Sequence, residues 1–178
     1  MKQIVSLLLV TLAIGVSAAP NSEPSFTPTN APSSIELHDQ FDAPQTLSFP
    51  GTNVTLLTIA DKKGSEQIAG WVTPLKQRFG KRIDIRGLAD VSTVPRPLRG
   101  IVRRKFQRLQ TYPVMLDWSG DVVKAFTYVP DNANVLVLDA HGQILKRISG
   151  EANPKSVQDL CAAIDRALDN RADKLSAQ

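Results

Sequence analysis

The chain has 178 residues, 42% of them hydrophobic and 21% charged. These are the proportions of a globular protein and exclude a disordered one, and the length suffices for one domain with a real core. The formal charge of +4 gives solubility and a weak attraction for anions, too little to indicate nucleic acid, and a single cysteine excludes any intramolecular disulfide.

"MKQIVSLLLVTLAIGVSAAP" opens with the positive Lys2, an apolar run from Ile4 to Ile14 and then small residues. That is the pattern of a signal peptide over residues 1–19, cleaved after Ala18 or Ala19, with a retained anchor as the alternative. The run is short of the roughly 20 residues that a membrane span needs. A periplasmic or secreted protein is expected, with no transmembrane segment once the signal is removed. Residues 20–34, rich in Pro, Ser, Thr and Asn, read as a flexible leader.

The domain is expected over residues 35–169. Leu47 and Phe49 alternate as a short leading strand, and "NVTLLTIAD" is a continuous apolar run, the pattern of a strand covered on both faces. Ile68, Trp71, Val72, Leu75 and Phe79 then recur at helical spacing, with Gly80 as the stop and Pro74 as an expected kink. "RIDIRGLADVS" reads as the next strand. Leu98, Ile101, Val102, Phe106 and Leu109 give the following helix an apolar face, while Arg96, Arg99, Arg103, Arg104 and Arg108 spread over its other side. "YPVMLDWSGDVVKAF" is a strand, a turn and a short helix. Two apolar runs around "DAHG" form an antiparallel hairpin. Asn153 and Pro154 start a last helix bearing Val157, Leu160, Cys161, Ile164 and Leu168, and residues 170–178 are expected to fray. The order β, β, α, β, α, β, α, β, β, α implies a mixed sheet with helices on both faces.

"NVTLLTIAD" followed by a helix with Trp71 and Pro74-Leu75 resembles the first βα unit of the thioredoxin-like superfamily, in its exported redoxin and peroxiredoxin-type branch. Asp117/Gly120, Asp139/Gly142 and Gly150 are similar to that family's paired Asp-x-x-Gly turns and terminal glycine. The resemblance implies a three-layer α/β/α domain whose mixed central sheet ends in a hairpin and a C-terminal helix. It also implies two cysteines, with two residues between them, at the start of the first long helix, where the dipole lowers a thiol's pKa. Counting back from Pro74, those positions hold Glu66 and Ala69. The family's cis-proline position falls at Ala133, with Pro130 three residues early.

The remaining chemistry-bearing residues point to structure. Cys161 lies on an apolar stripe, as a core filler does. His38 and His141 are far apart in the chain and lack ligand-like spacing, so neither a metal site nor a cofactor is expected. Asp61 and Glu66 form a carboxylate pair suited either to acid–base work or to stabilising a helix N-terminus. The expected protein is a thioredoxin-fold module with no catalytic residue. It binds an envelope protein or another anionic partner, not nucleic acid, through Trp71 and the groove near Glu66 and Ala133, or through Arg99, Arg103, Arg104 and Arg108. The alternative is a redoxin-type thiol oxidoreductase or peroxidase that uses Cys161 or a partner's thiol.

Overall fold

The computed structural model describes residues 30–176, so the expected signal peptide and residues 20–29 of the expected leader lie outside the described residues. Strands β1 (Ser34–His38) and β2 (Pro44–Ser48) pair antiparallel as a two-stranded sheet. The main sheet contains β3 (Val54–Ala60), β4 (Ile83–Asp90), β5 (Val114–Asp117), β6 (Asn134–Leu138) and β7 (Ile144–Ser149), in the spatial order β5-β4-β3-β6-β7. Pairing is parallel from β3 through β4 to β5 and antiparallel from β3 through β6 to β7. Central β3 is buried at all seven positions, which is why its sequence is an unbroken apolar and β-branched run.

Among the described residues, four α-helices complete the fold: α1 (Ile68–Phe79), α2 (Arg99–Leu109), α3 (Asp121–Ala125) and α4 (Pro154–Ser176). Side chains alternate across each strand, so the sheet feeds separate cores. Val54 and Leu56 of β3, with Val135 and Val137 of β6, pack against Trp71, Leu75 and Phe79 of α1 and Leu160 and Ile164 of α4. Leu57, Ile59, Leu136 and Leu138 point the other way, onto Ile35, Leu47, and Val123 and Phe126 in and beside α3. Helix α2 joins the α1/α4 face, where Val102 and Phe106 cover Ala89, Val91, Val114 and Leu116. The result is three-layered, as expected.

The two Asp-x-x-Gly turns work through their carboxylates. Fully buried Asp117 accepts hydrogen bonds from the amides of Ser119, Gly120 and Val123, tying the end of β5 to α3. Asp139 accepts from the amides of His141 and Gln143, closing the β6–β7 hairpin. Gly120 and Gly142 have φ of 78° and 83°, a left-handed backbone that favours glycine.

Three elements differ from expectation. β1 was not foreseen as a strand. Its pattern has only Ile35 and Leu37, and the residues after it, Asp39 and Gln40, are polar yet buried. Asp39 caps the turn by accepting from the amides of Phe41 and Ala43, while the Gln40 side chain accepts from the Val114 amide at 2.9 Å, occupying the open edge of β5. The expected apolar face of α2 is only partly covered, because Leu98, Ile101 and Leu109 are exposed and no residue of the helix is fully buried. The last helix runs on to Ser176 instead of fraying from residue 170. Pro74 lies inside α1, which stays helical on both sides of it.

Candidate functional site

The junction between β3 and α1 is where an Asp, a glycine and a glutamine decide the geometry. Asp61 directly follows β3, and its carboxylate accepts from the Gly64 amide at 2.8 Å and the Asp131 amide at 2.7 Å. Lys63 pairs with the Asp131 carboxylate at 2.9 Å. The Gln67 side chain accepts from the Ala133 amide at 3.0 Å. Gly64 opens a 3-10 turn, Gly64–Glu66, that presses on the loop before β6: a Cβ there would sit 2.2 Å from the Asn132 carbonyl oxygen. The junction is thereby fastened to that loop from both sides.

Electrostatics follow from these contacts. Burial alone would raise the Asp61 carboxyl, but the Gly64 and Asp131 amides outweigh it and hold its pKa below the ordinary value. Tyr128 has its hydroxyl buried near Asp61 without a hydrogen bond of full geometry. Burial first, and then the Asp61 carboxylate, raise that phenol well above its ordinary range. Asp61 is thus a structural acceptor, which favours the capping reading of the carboxylate pair over acid–base work.

Each expected site residue has a definite place. Glu66 and Ala69 are exposed, one at the end of the 3-10 turn and the other in the first turn of α1. Ala133 is buried, and its preceding peptide is trans; among the described residues the cis bond is at Phe49-Pro50. Ala133 therefore contributes an amide to the junction and no groove wall. Trp71 is not a surface residue: it is fully buried in the α1/α4 core, and its indole N–H donates to the Gly150 carbonyl at 2.9 Å. Position 71 lies on the stripe that faces the sheet, and the indole's one polar atom is satisfied internally.

The basic helix divides in the same way. The Arg99 guanidinium stacks 5.0 Å from the centre of the Trp118 ring and donates to the Trp118 carbonyl. Arg103 pairs with Asp42 at 3.1 Å. Arg104 and Arg108 are exposed, as is Lys105 between them. Cys161 is half-buried, and burial pushes its thiol up, outweighing the opposing pull of the Arg78 guanidinium. No group of three His, Cys, Asp or Glu side chains is placed to hold a metal ion among the described residues.

Gln67, Tyr128 and Asp131 were missed in the sequence. Gly64 is the signal that was available, since a glycine inside "DKKGSEQ" marks a close approach of another backbone.

This sheet, with α1 following its central strand and the β6–β7 hairpin leading into α4, is the thioredoxin fold. The chain's single cysteine, Cys161, lies in α4. No family model and no curated protein matches the chain. Solved structures do. A thiol:disulfide interchange protein of the thioredoxin family from Chlorobium tepidum superposes with a TM-score of 0.55 at 18% identity, over 80% of this chain and 98% of its own. The peroxidoxin BcpB of Mycobacterium tuberculosis gives 0.54 at 20% identity, over 81% and 96%. The exposed lipoprotein thioredoxin Etrx1 of Streptococcus pneumoniae gives 0.56 at 14% identity, over 71% and 96%. At such identities the likeness is one of fold.

Proposed function

We propose that the chain is an exported thioredoxin-fold protein that acts by binding, as an accessory module of the cell envelope, and not by thiol chemistry. One observation carries the reading: the single cysteine, Cys161, lies in α4, while the β3–α1 junction, where we take Glu66 and Ala69 as the redox positions by the count from Pro74, is bonded to the β6 loop through Asp61, Lys63 and Gln67. Thiol–disulfide exchange needs an accessible thiolate as its nucleophile. Cys161 offers a poor one, because burial favours its protonated form and restricts access. Export is supported by the signal-like opening and by the exposed lipoprotein among the fold's neighbours. No described helix is long and apolar enough to cross a membrane.

The test is turnover of insulin disulfides with dithiothreitol, and of hydrogen peroxide, by the wild type and Cys161→Ser. Both proteins are expected to match a no-protein control. Wild-type turnover that Cys161→Ser abolishes would establish the oxidoreductase or peroxidase instead.

A further inference from the structure

Among the described residues, helix α2 is where a strong charge and uncovered apolar surface coincide. From Val91 to Leu116 the sequence contains six basic residues, Arg96, Arg99, Arg103, Arg104, Lys105 and Arg108, and no acidic one. Arg103 is matched by Asp42, whereas Arg104, Lys105 and Arg108 have no carboxylate within ion-pair distance among the described residues. Leu98, Ile101, Lys105 and Leu109 recur every three or four residues and so run along one side of the helix. The apolar members of that line are 47%, 56% and 66% exposed, and Tyr112, just beyond the helix, is 50% exposed. Val102 and Phe106, on the flank adjoining that line, reach the sheet.

We infer that this face is a membrane-surface anchor, which lies flat on a bilayer containing anionic phospholipid. The inference goes beyond the binding role proposed above and does not depend on whether thiol chemistry is present. The charge identifies the occupant's sign, and the apolar line identifies its kind. A purely ionic partner would leave Leu98, Ile101 and Leu109 in water. A bilayer interface accepts short apolar side chains at acyl depth while Arg and Lys extend to the phosphates beside them. Tyr112 has the ring-plus-hydroxyl character that suits the headgroup level. Eleven helical residues, about 16 Å long, are too few to span a bilayer but enough to lie on one.

The experiment is co-sedimentation of the full chain with phosphatidylglycerol/phosphatidylcholine vesicles and with phosphatidylcholine alone, for wild type, Arg104→Glu/Arg108→Glu, and Ile101→Ser/Leu109→Ser. All three proteins share residues 1–29, so any vesicle binding by that segment is common to them. Both pairs are exposed, and unchanged melting temperatures would show that the fold is intact. Charge reversal is expected to lower binding to anionic vesicles on the order of a hundredfold, and the apolar pair about tenfold. The wild type should bind the zwitterionic vesicles no better than the reversed variant does. In a second measurement, the indole introduced by Ile101→Trp should shift its emission to the blue on anionic vesicles only. Equal binding of all three proteins, or an emission from the Ile101→Trp variant that anionic vesicles leave unshifted, overturns the anchor. Loss of binding on charge reversal but not in the apolar pair also overturns it and leaves a purely ionic surface, of the kind an acidic polypeptide would use.

Discussion

At the residue scale the junction depends on Asp61. Its carboxylate accepts from two backbone amides, that of Gly64 close by and that of Asp131, 70 residues further along the chain. Hydrogen bonds to an ionised group are worth more than neutral ones. Asp61→Ala is therefore expected to lose about 2 kcal/mol in urea denaturation at neutral pH. The pH dependence has a definite sign. The folded-state pKa of Asp61 lies below its ordinary 3.8, so the stabilisation is present above that value and is lost as pH falls through the lower, folded one. The gap between wild type and Asp61→Ala should narrow as the pH is lowered progressively below 3.8. A gap of the same size there would show that the carboxylate's charge is not what holds the two segments.

At the scale of elements, the strands and helices that could be read in the sequence are those with a clean period. β3 is apolar throughout because both its faces are covered, and α1 shows Trp71, Leu75 and Phe79 on one stripe because only that stripe meets the sheet. The β6–β7 hairpin announces itself through Asp139 and Gly142. What was hidden depended on partners remote in sequence. β1 has few apolar residues because Gln40, just after it, does its work by hydrogen bonding to the edge of β5. The apolar period of α2 was real but did not say which of its residues the sheet would reach. Trp71 belonged to a period correctly seen, yet as an aromatic near the expected groove it was also assigned to the surface, which its burial rules out. Two glycines make the same distinction measurable. Gly64→Ala places a Cβ against the Asn132 backbone, which no rotamer change can relieve, and should cost about 2–3 kcal/mol. Gly100→Ala in α2 meets nothing within 4 Å and should stabilise by up to about 1 kcal/mol through helix propensity. Opposite signs in thermal denaturation are expected, and a neutral Gly64→Ala would mean that the 3-10 turn and the β6 loop are not pressed together.

At the scale of the whole molecule, this chain uses the start of α1 as a structural joint, bonded to the loop before β6. In the binding role proposed above, fold and activity separate because activity resides in a few side chains that the scaffold does not need. The separation can be tested by putting sulfur back. Glu66 and Ala69 are both exposed and lie three residues apart across the entry to α1, the spacing that places two side chains on one face. Glu66→Cys/Ala69→Cys, made in the Cys161→Ser background, is expected to form an intramolecular disulfide on mild oxidation, read as loss of both free thiols without dimerisation. Reduction of insulin by this variant should still be slow. Ala133 stands in a trans peptide and donates its amide to Gln67, so that amide is already engaged and not free to pair with a substrate strand. Gln67→Ala added to the cysteine variant frees the Ala133 amide and should raise the insulin rate. Fast turnover without it would mean that the two sulfurs alone separate this chain from an oxidoreductase. Failure of the disulfide to close would instead show that positions 66 and 69 are not the pair that the fold aligns.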